Sequence, residues 1–138
     1  MNDPYNLKRF VDAQAPVIDR ALTELRSGEK RTHWMWFVFP QIEGLGHSEM
    51  SRFYAISSLD EAEAYVAHPV LGPRLRECTQ AVLTVQPRPI SHIFGHPDDL
   101  KFHSSMTLFA RTGGGDIFRT ALERCFAGVE DFGTLSRL

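Results

Sequence analysis

The sequence predicts an all-α domain, a single unit over residues 1–138 with six or seven helices around a core rich in tryptophan and phenylalanine. Three observations lead there. Apolar residues recur at the three-and-four spacing of a buried helical stripe along most of the chain. The stripes are bounded by residue types that start and stop helices. One segment has a strand-like composition but no second strand to pair with, and a lone interior strand would leave its backbone N–H and C=O groups unbonded.

Leu7, Phe10, Val11, Val17, Ile18, Ala21, Leu22 and Leu25 form the first stripe, with Asp3 as a cap and Pro4 at a first helical position. Pro16 has no N–H to give to the carbonyl of Asp12, so a kink or two abutting helices is expected, and Gly28 is the C-terminal stop. Residues 29–32 are a charged connector into the aromatic run, which is expected to be a short helix or an irregular buried segment. Ser48 can cap a short helix through Tyr54. Ser58-Leu59-Asp60-Glu61 has the pattern of a capping box and opens a helix that stops before His68-Pro69.

Gly72-Pro73 opens the next helix, with Leu71, Leu75, Cys78, Val82 and Val85 inward, and residues 86–89 break it. Ile90 to Phe94 gives one or two turns, ended by Gly95. Asp98 and Asp99 suit a helix N-terminus, and Phe102, Met106 and Phe109 give that helix its buried face. Gly113-Gly114-Gly115 stops it. Asp116 is expected to cap the last long helix, and the tail to dock through Phe132 and Leu135.

Composition excludes several function classes. A hydrophobic content of 43% supports a core without disulfides, and Cys78 and Cys125 both fall on apolar stripes, as buried thiols of a reducing cytoplasm would. A net charge of −2 with no basic stripe speaks against nucleic acid as a partner. No apolar run is long enough to span a membrane, and the N-terminus lacks the basic start and apolar stretch of a signal peptide. The expected location is therefore the cytoplasm.

The chemistry-bearing residues fall in two places. His33-Trp34-Met35-Trp36-Phe37-Val38-Phe39-Pro40-Gln41 holds both tryptophans of the chain and runs into Glu43-Gly44-Leu45-Gly46. Aromatics this dense are the centre of the core or the floor of a pocket. The second place is the helix carrying Asp98, Asp99, Lys101, Ser104, Ser105 and Thr107. Hydroxyls and a lysine near a helix N-terminus can form an anion site, and a lysine beside a serine can activate it as a nucleophile. The same residues also read as a solvated face with one i,i+3 ion pair. Arg74 and Arg76 flank the inward Leu75 and offer either a bidentate anion contact or a surface arginine. His92 and His96 have a metal-ligand spacing, but Gly95 and Pro97 break the helix that would hold them, so neither metal nor cofactor is expected.

Four strings together carry a resemblance: Arg9-Phe10-Val11-Asp12-Ala13-Gln14, the tryptophan-proline run with Gly44-Leu45-Gly46, Ala64-Tyr65 with His68-Pro69-Val70-Leu71-Gly72, and Ile93-Phe94-Gly95 followed by Ser104-Ser105-Met106-Thr107-Leu108-Phe109. Over almost its whole length the chain resembles the bacterial and fungal "domain of unknown function 1810" family. That resemblance implies a soluble, all-helical domain with no assigned activity.

The residues themselves suggest an aromatic-floored polar pocket for a small anionic or nucleotide-like ligand, built from His33, Trp34, Trp36, Phe39, Gln41, Arg74, Lys101, Ser104 and Ser105. If the chain is an enzyme, N-glycosidic or phosphoester hydrolysis with Glu43 or Asp99 as acid/base is the expectation. The alternative is a protein-interaction module or homodimer that uses the Trp/Phe segment as its interface.

Overall fold

Pro16 divides the first stripe as its missing N–H requires. In a computed structural model that describes residues 2–138, α1 (Lys8–Gln14) and α2 (Ile18–Arg26) are separate helices. Asp3 caps, but from a distance. Its carboxylate accepts from the N–H groups of Leu7 and Lys8, so the helix begins at Lys8 and Pro4 lies outside it. Gly28 closes α2 at a φ of +80°, and the N–H groups of Gly28 and Glu29 reach back to the carbonyls of Leu25 and Glu24. That is a Schellman arrangement, which satisfies carbonyls the helix end would orphan.

The remaining helices are α3 (Met35–Val38), α4 (Glu49–Phe53), α5 (Leu59–Ala67), α6 (Leu71–Thr84), α7 (Ile90–Phe94), α8 (Asp98–Ala110), α9 (Ile117–Phe126) and α10 (Phe132–Leu135). Ten helices replace the expected six or seven among the described residues. The difference lies in breaks and single turns: Pro16 splits one stripe, and α3, α4, α7 and α10 have four or five residues each. No strand forms. Residues 41–43 do meet the chain at Ile56 in one parallel bridge, in which the Ile56 N–H donates to the Gln41 carbonyl and the Glu43 N–H to the Ile56 carbonyl. Among the described residues, no helix is long and apolar enough to cross a membrane.

The two longest helices organise the rest. α6 packs against α2, α5 and α9, and α8 against α5, α7, α9 and α10. Because α8 is enclosed on nearly every side, Phe102 and the whole run from Ser104 to Phe109 are buried. Small hydroxyl residues fit where neighbouring helices come close, and Ser104 and Thr107 satisfy their hydroxyls by donating to the carbonyls one turn back, of Leu100 and His103. This accounts for poor helix formers at the middle of a long helix.

Two other expectations are corrected. Asp116 makes no side-chain cap on α9. The tail does not dock through Phe132, which is 81% exposed. It docks through Asp131, whose Oδ2 accepts from the Ser104 hydroxyl and from both the N–H and hydroxyl of the buried Thr134. The cysteines are free thiols, Cys78 buried and Cys125 half-buried. Burial pushes the Cys78 thiol up to about 12, which removes it from thiolate chemistry.

α5 and α6 meet where only a glycine fits. A Cβ at Gly72 would fall inside contact distance of the Val66 carbonyl oxygen. Backbone cannot swing aside as a side-chain tip can, so Gly72→Ala is expected to cost about 1–3 kcal/mol, read as a lowered midpoint in urea or thermal denaturation. Gly113→Ala, which meets only the far end of Glu63 at 3.8 Å, is the matched control and should change little.

Candidate functional site

The course of the aromatic segment is set by Glu24, a buried carboxylate at the end of α2. Its Oε1 accepts from the N–H of Arg31 at 2.8 Å, the N–H of Thr32 at 3.0 Å and the indole N–H of Trp34 at 3.0 Å, while Oε2 accepts from the Thr32 hydroxyl at 2.6 Å. Burial by itself would raise the Glu24 pKa. The bonds from the Thr32 hydroxyl, the Arg31 and Thr32 amides and the Trp34 indole outweigh it and hold the carboxyl down at about 2.

Anchored in this way, Trp34 is 0% exposed and packs on Phe39, which in turn meets the rings of Phe94 and Phe102 edge-on. Phe37 is held from the other side. Its carbonyl accepts from the Gln14 amide at 2.7 Å and the Tyr65 hydroxyl at 3.3 Å, a buried polar contact joining α1, α3 and α5. Of the tryptophans and phenylalanines in this run, Trp36 alone reaches the surface, half-buried. An interface built on the Trp/Phe segment would therefore rest on Trp36.

Beside Trp36 lies a recess of about 40 Å³. Its floor is Met35, Phe39 and Ile42, and its walls include Trp36, Tyr54, Gly44 and Gly46. Its polar side chains include Gln41, Glu43, Ser51, Arg52 and Lys101. The Ile42–Ile56 bridge orders this rim: with Ile42 turned inward and 2% exposed, Gln41 and Glu43 project together, as alternate residues of extended chain do.

Lys101, on the first turn of α8, places its ammonium 5.6 Å from the centroid of the Trp36 ring, within cation–π range. It also lies 3.6 Å from Asp98 Oδ1. The other oxygen of Asp98 is taken by Lys30 at 2.9 Å, and Lys30 sits 5.2 Å from the Trp34 ring centroid. Each tryptophan thus has a lysine against it, and the two lysines share one carboxylate. One positive charge is left over next to the recess.

Of the candidate residues, the structure brings together Trp36, Phe39, Gln41 and Lys101, with Glu43 beside them. Trp34 supports the floor from within the core. His33 is exposed and lines no part of the recess. Arg74 belongs to α6, where it approaches the Gln14 amide oxygen at 3.5 Å. Ser104 is engaged with Leu100 and Asp131, so its hydroxyl is a structural clasp. Ser105 is sealed in the core with no hydrogen-bond partner on its hydroxyl among the described residues. Asp99 accepts from the N–H of Leu100 and pairs with the His96 ring, away from the recess. The i,i+3 pair expected on α8 is Asp98–Lys101. Sequence reasoning missed Lys30, Arg52, Asp98 as a shared partner, and Glu24. Of these, only Glu24 carried a signal, as a carboxylate on the inward stripe between Ala21, Leu22 and Leu25.

A protein family described as of unknown function, DUF1810, matches residues 4–138. The chain belongs to that family. The chain is also similar to a solved structure, the conserved hypothetical protein Rv1873 from Mycobacterium tuberculosis, at 57% identity and a TM-score of 0.96, with 99% of this chain and 98% of that one covered. No curated protein matches the chain. Family membership and this likeness establish the helical fold and assign no activity.

The Glu24 anchor gives a pH dependence. In the unfolded chain this carboxyl takes up a proton near its ordinary 4.5, and in the fold only at about 2. Its contribution is complete above about pH 4.5 and is lost as pH falls toward 2. Glu24→Gln is expected to lower the melting temperature at pH 7 by about 5–10 °C, the loss of charge-assisted bonds to a buried carboxylate. The gap between the two proteins should close between pH 5 and 2 when melting is followed by circular dichroism.

Proposed function

We propose that this protein binds a small anionic ligand in the recess beside Trp36, with Lys101 as the charge that holds it. One observation carries the reading: the Lys101 ammonium lies over the half-buried Trp36, while the carboxylate that would neutralise it is shared with Lys30. Arg52, exposed and lining the same recess, adds a second cation with no ion-pair partner among the described residues. A mostly apolar floor with a few convergent polar groups is the usual make-up of a ligand site.

Size narrows the ligand. Pockets that enclose drug-sized molecules run to about 300–1,000 Å³, and this recess has about 40 Å³. It suits one carboxylate or phosphate group, with any larger body, a nucleotide's included, lying outside over Trp36. Hydrolysis would need a second positioned group, and Glu43 has no such partner here. The reading is therefore binding.

The test is a thermal-shift and calorimetric titration with acetate, glutarate, inorganic phosphate and AMP. At least one should raise the melting temperature by several degrees at about 100 times its dissociation constant. Lys101→Met should abolish that shift while leaving the circular dichroism spectrum unchanged. A shift that persists in Lys101→Met, or no shift with any of the four and none with an amine-bearing carboxylate such as glutamate, overturns the proposal.

A further inference from the structure

A site for a bare anion has no use for a carboxylate, yet this one holds Glu43 in place. The Glu43 N–H donates to the Ile56 carbonyl at 2.8 Å and the Gln41 carbonyl accepts from the Ile56 N–H at 2.8 Å, so the backbone on both sides of Ile42 is pinned. With Ile42 committed to the core, Glu43 stays on the side where Gln41 lies, at the recess. It is exposed and has no ion-pair partner among the described residues, although Arg52 lines the same recess. Around the same recess, Lys101 and Arg52 can only donate, Glu43 can only accept, and Gln41 can do both.

An anion lacking a donor would meet repulsion from Glu43, and a cation lacking an acceptor would meet it from Lys101. Resting on the reading above, we infer that the ligand is an amine-bearing carboxylate, a small amino acid in the broad sense. Its carboxylate sits on Lys101 and Arg52 and its ammonium on Glu43, over the face of Trp36. Glu43 is then the specificity-determining residue, its backbone held at the rim of the recess by the Ile56 bridge.

Matched probes separate the two halves of this. β-Alanine against propionate, 4-aminobutyrate against butyrate, and glutamate against glutarate differ only in the amine. Calorimetry on the full chain should find at least one amine-bearing member bound tenfold or more tighter than its partner. Glu43→Gln should reduce that ratio to about one, chiefly by weakening the amine-bearing member. Lys101→Met should abolish binding of both. Glu43 is exposed, so its variant is expected to fold, and Glu43→Asp should restore part of the preference. Equal affinity for both members of every pair, or a preference that survives Glu43→Gln, overturns the inference while leaving the Lys101-dependent anion site standing. No binding of any probe, together with no response to phosphate or AMP, overturns both.

Discussion

The carboxylate of Glu24 gathers four donors, and the shape of the site follows from that. A buried charge is tolerated only when its lone pairs are filled. Here they are filled by the two amides, hydroxyl and indole that begin the aromatic run. Once Trp34 is tied to α2, the single turn of α3 fixes the rest by its pitch. Met35, Phe37 and Val38 face the core, Trp36 faces out, and Phe39 drops back among Phe94 and Phe102. Pro40 then ends the turn, and the bridge at Ile42 holds the outgoing chain.

The same device recurs elsewhere in the core. Arg9, on α1, donates to Glu61, on α5, at 2.9 Å and to the carbonyls of Tyr5, Asn6, Phe53 and Ala55, while Glu61 also accepts from the N–H and hydroxyl of Ser57. Gln14 bonds the Phe37 carbonyl and the Tyr65 hydroxyl. Each of these groups pins a loop or short helix that is too short to hold itself by apolar burial. Short helices are marginal alone, and α3, α4 and α10 are each placed beside one such polar fixture. The recess, lined by residues of α3, of α4 and of the first turn of α8, inherits its rigidity from them.

The long stripes were readable because periodicity is local. The helices around Leu22, Leu75 and Phe118, the break at Pro16 and the stops at Gly28 and Gly95 all lie where spacing and residue type put them. The caps at Ser48 and Ser58 were equally readable. What was hidden is where a polar side chain ends up when its partner is distant in sequence. Glu61 was expected to reach back to Ser58, yet it bonds Ser57 and is claimed by Arg9, 52 residues away. Ser104 and Ser105 looked like ligand groups because hydroxyls in mid-helix need a reason, and the reason was close packing from several sides. Lys101, Gln41 and Trp36 were singled out by their places in the chain, beside a helix start and within the aromatic run. Their meeting with Arg52 depended on a bridge that no pattern announces.

The attachment of the C-terminal helix has a further consequence. Asp131 Oδ2 serves three donors at once, while Phe132 contributes almost no buried surface. The two Thr134 bonds are the N-cap of α10 itself, so the oxygen that starts this helix also ties it to Ser104 on α8, beside the bond from the Asp131 N–H to the Thr107 hydroxyl. Start and attachment of α10 therefore depend on one residue: loss of that carboxylate would uncap the helix and loosen it from α8 in the same step.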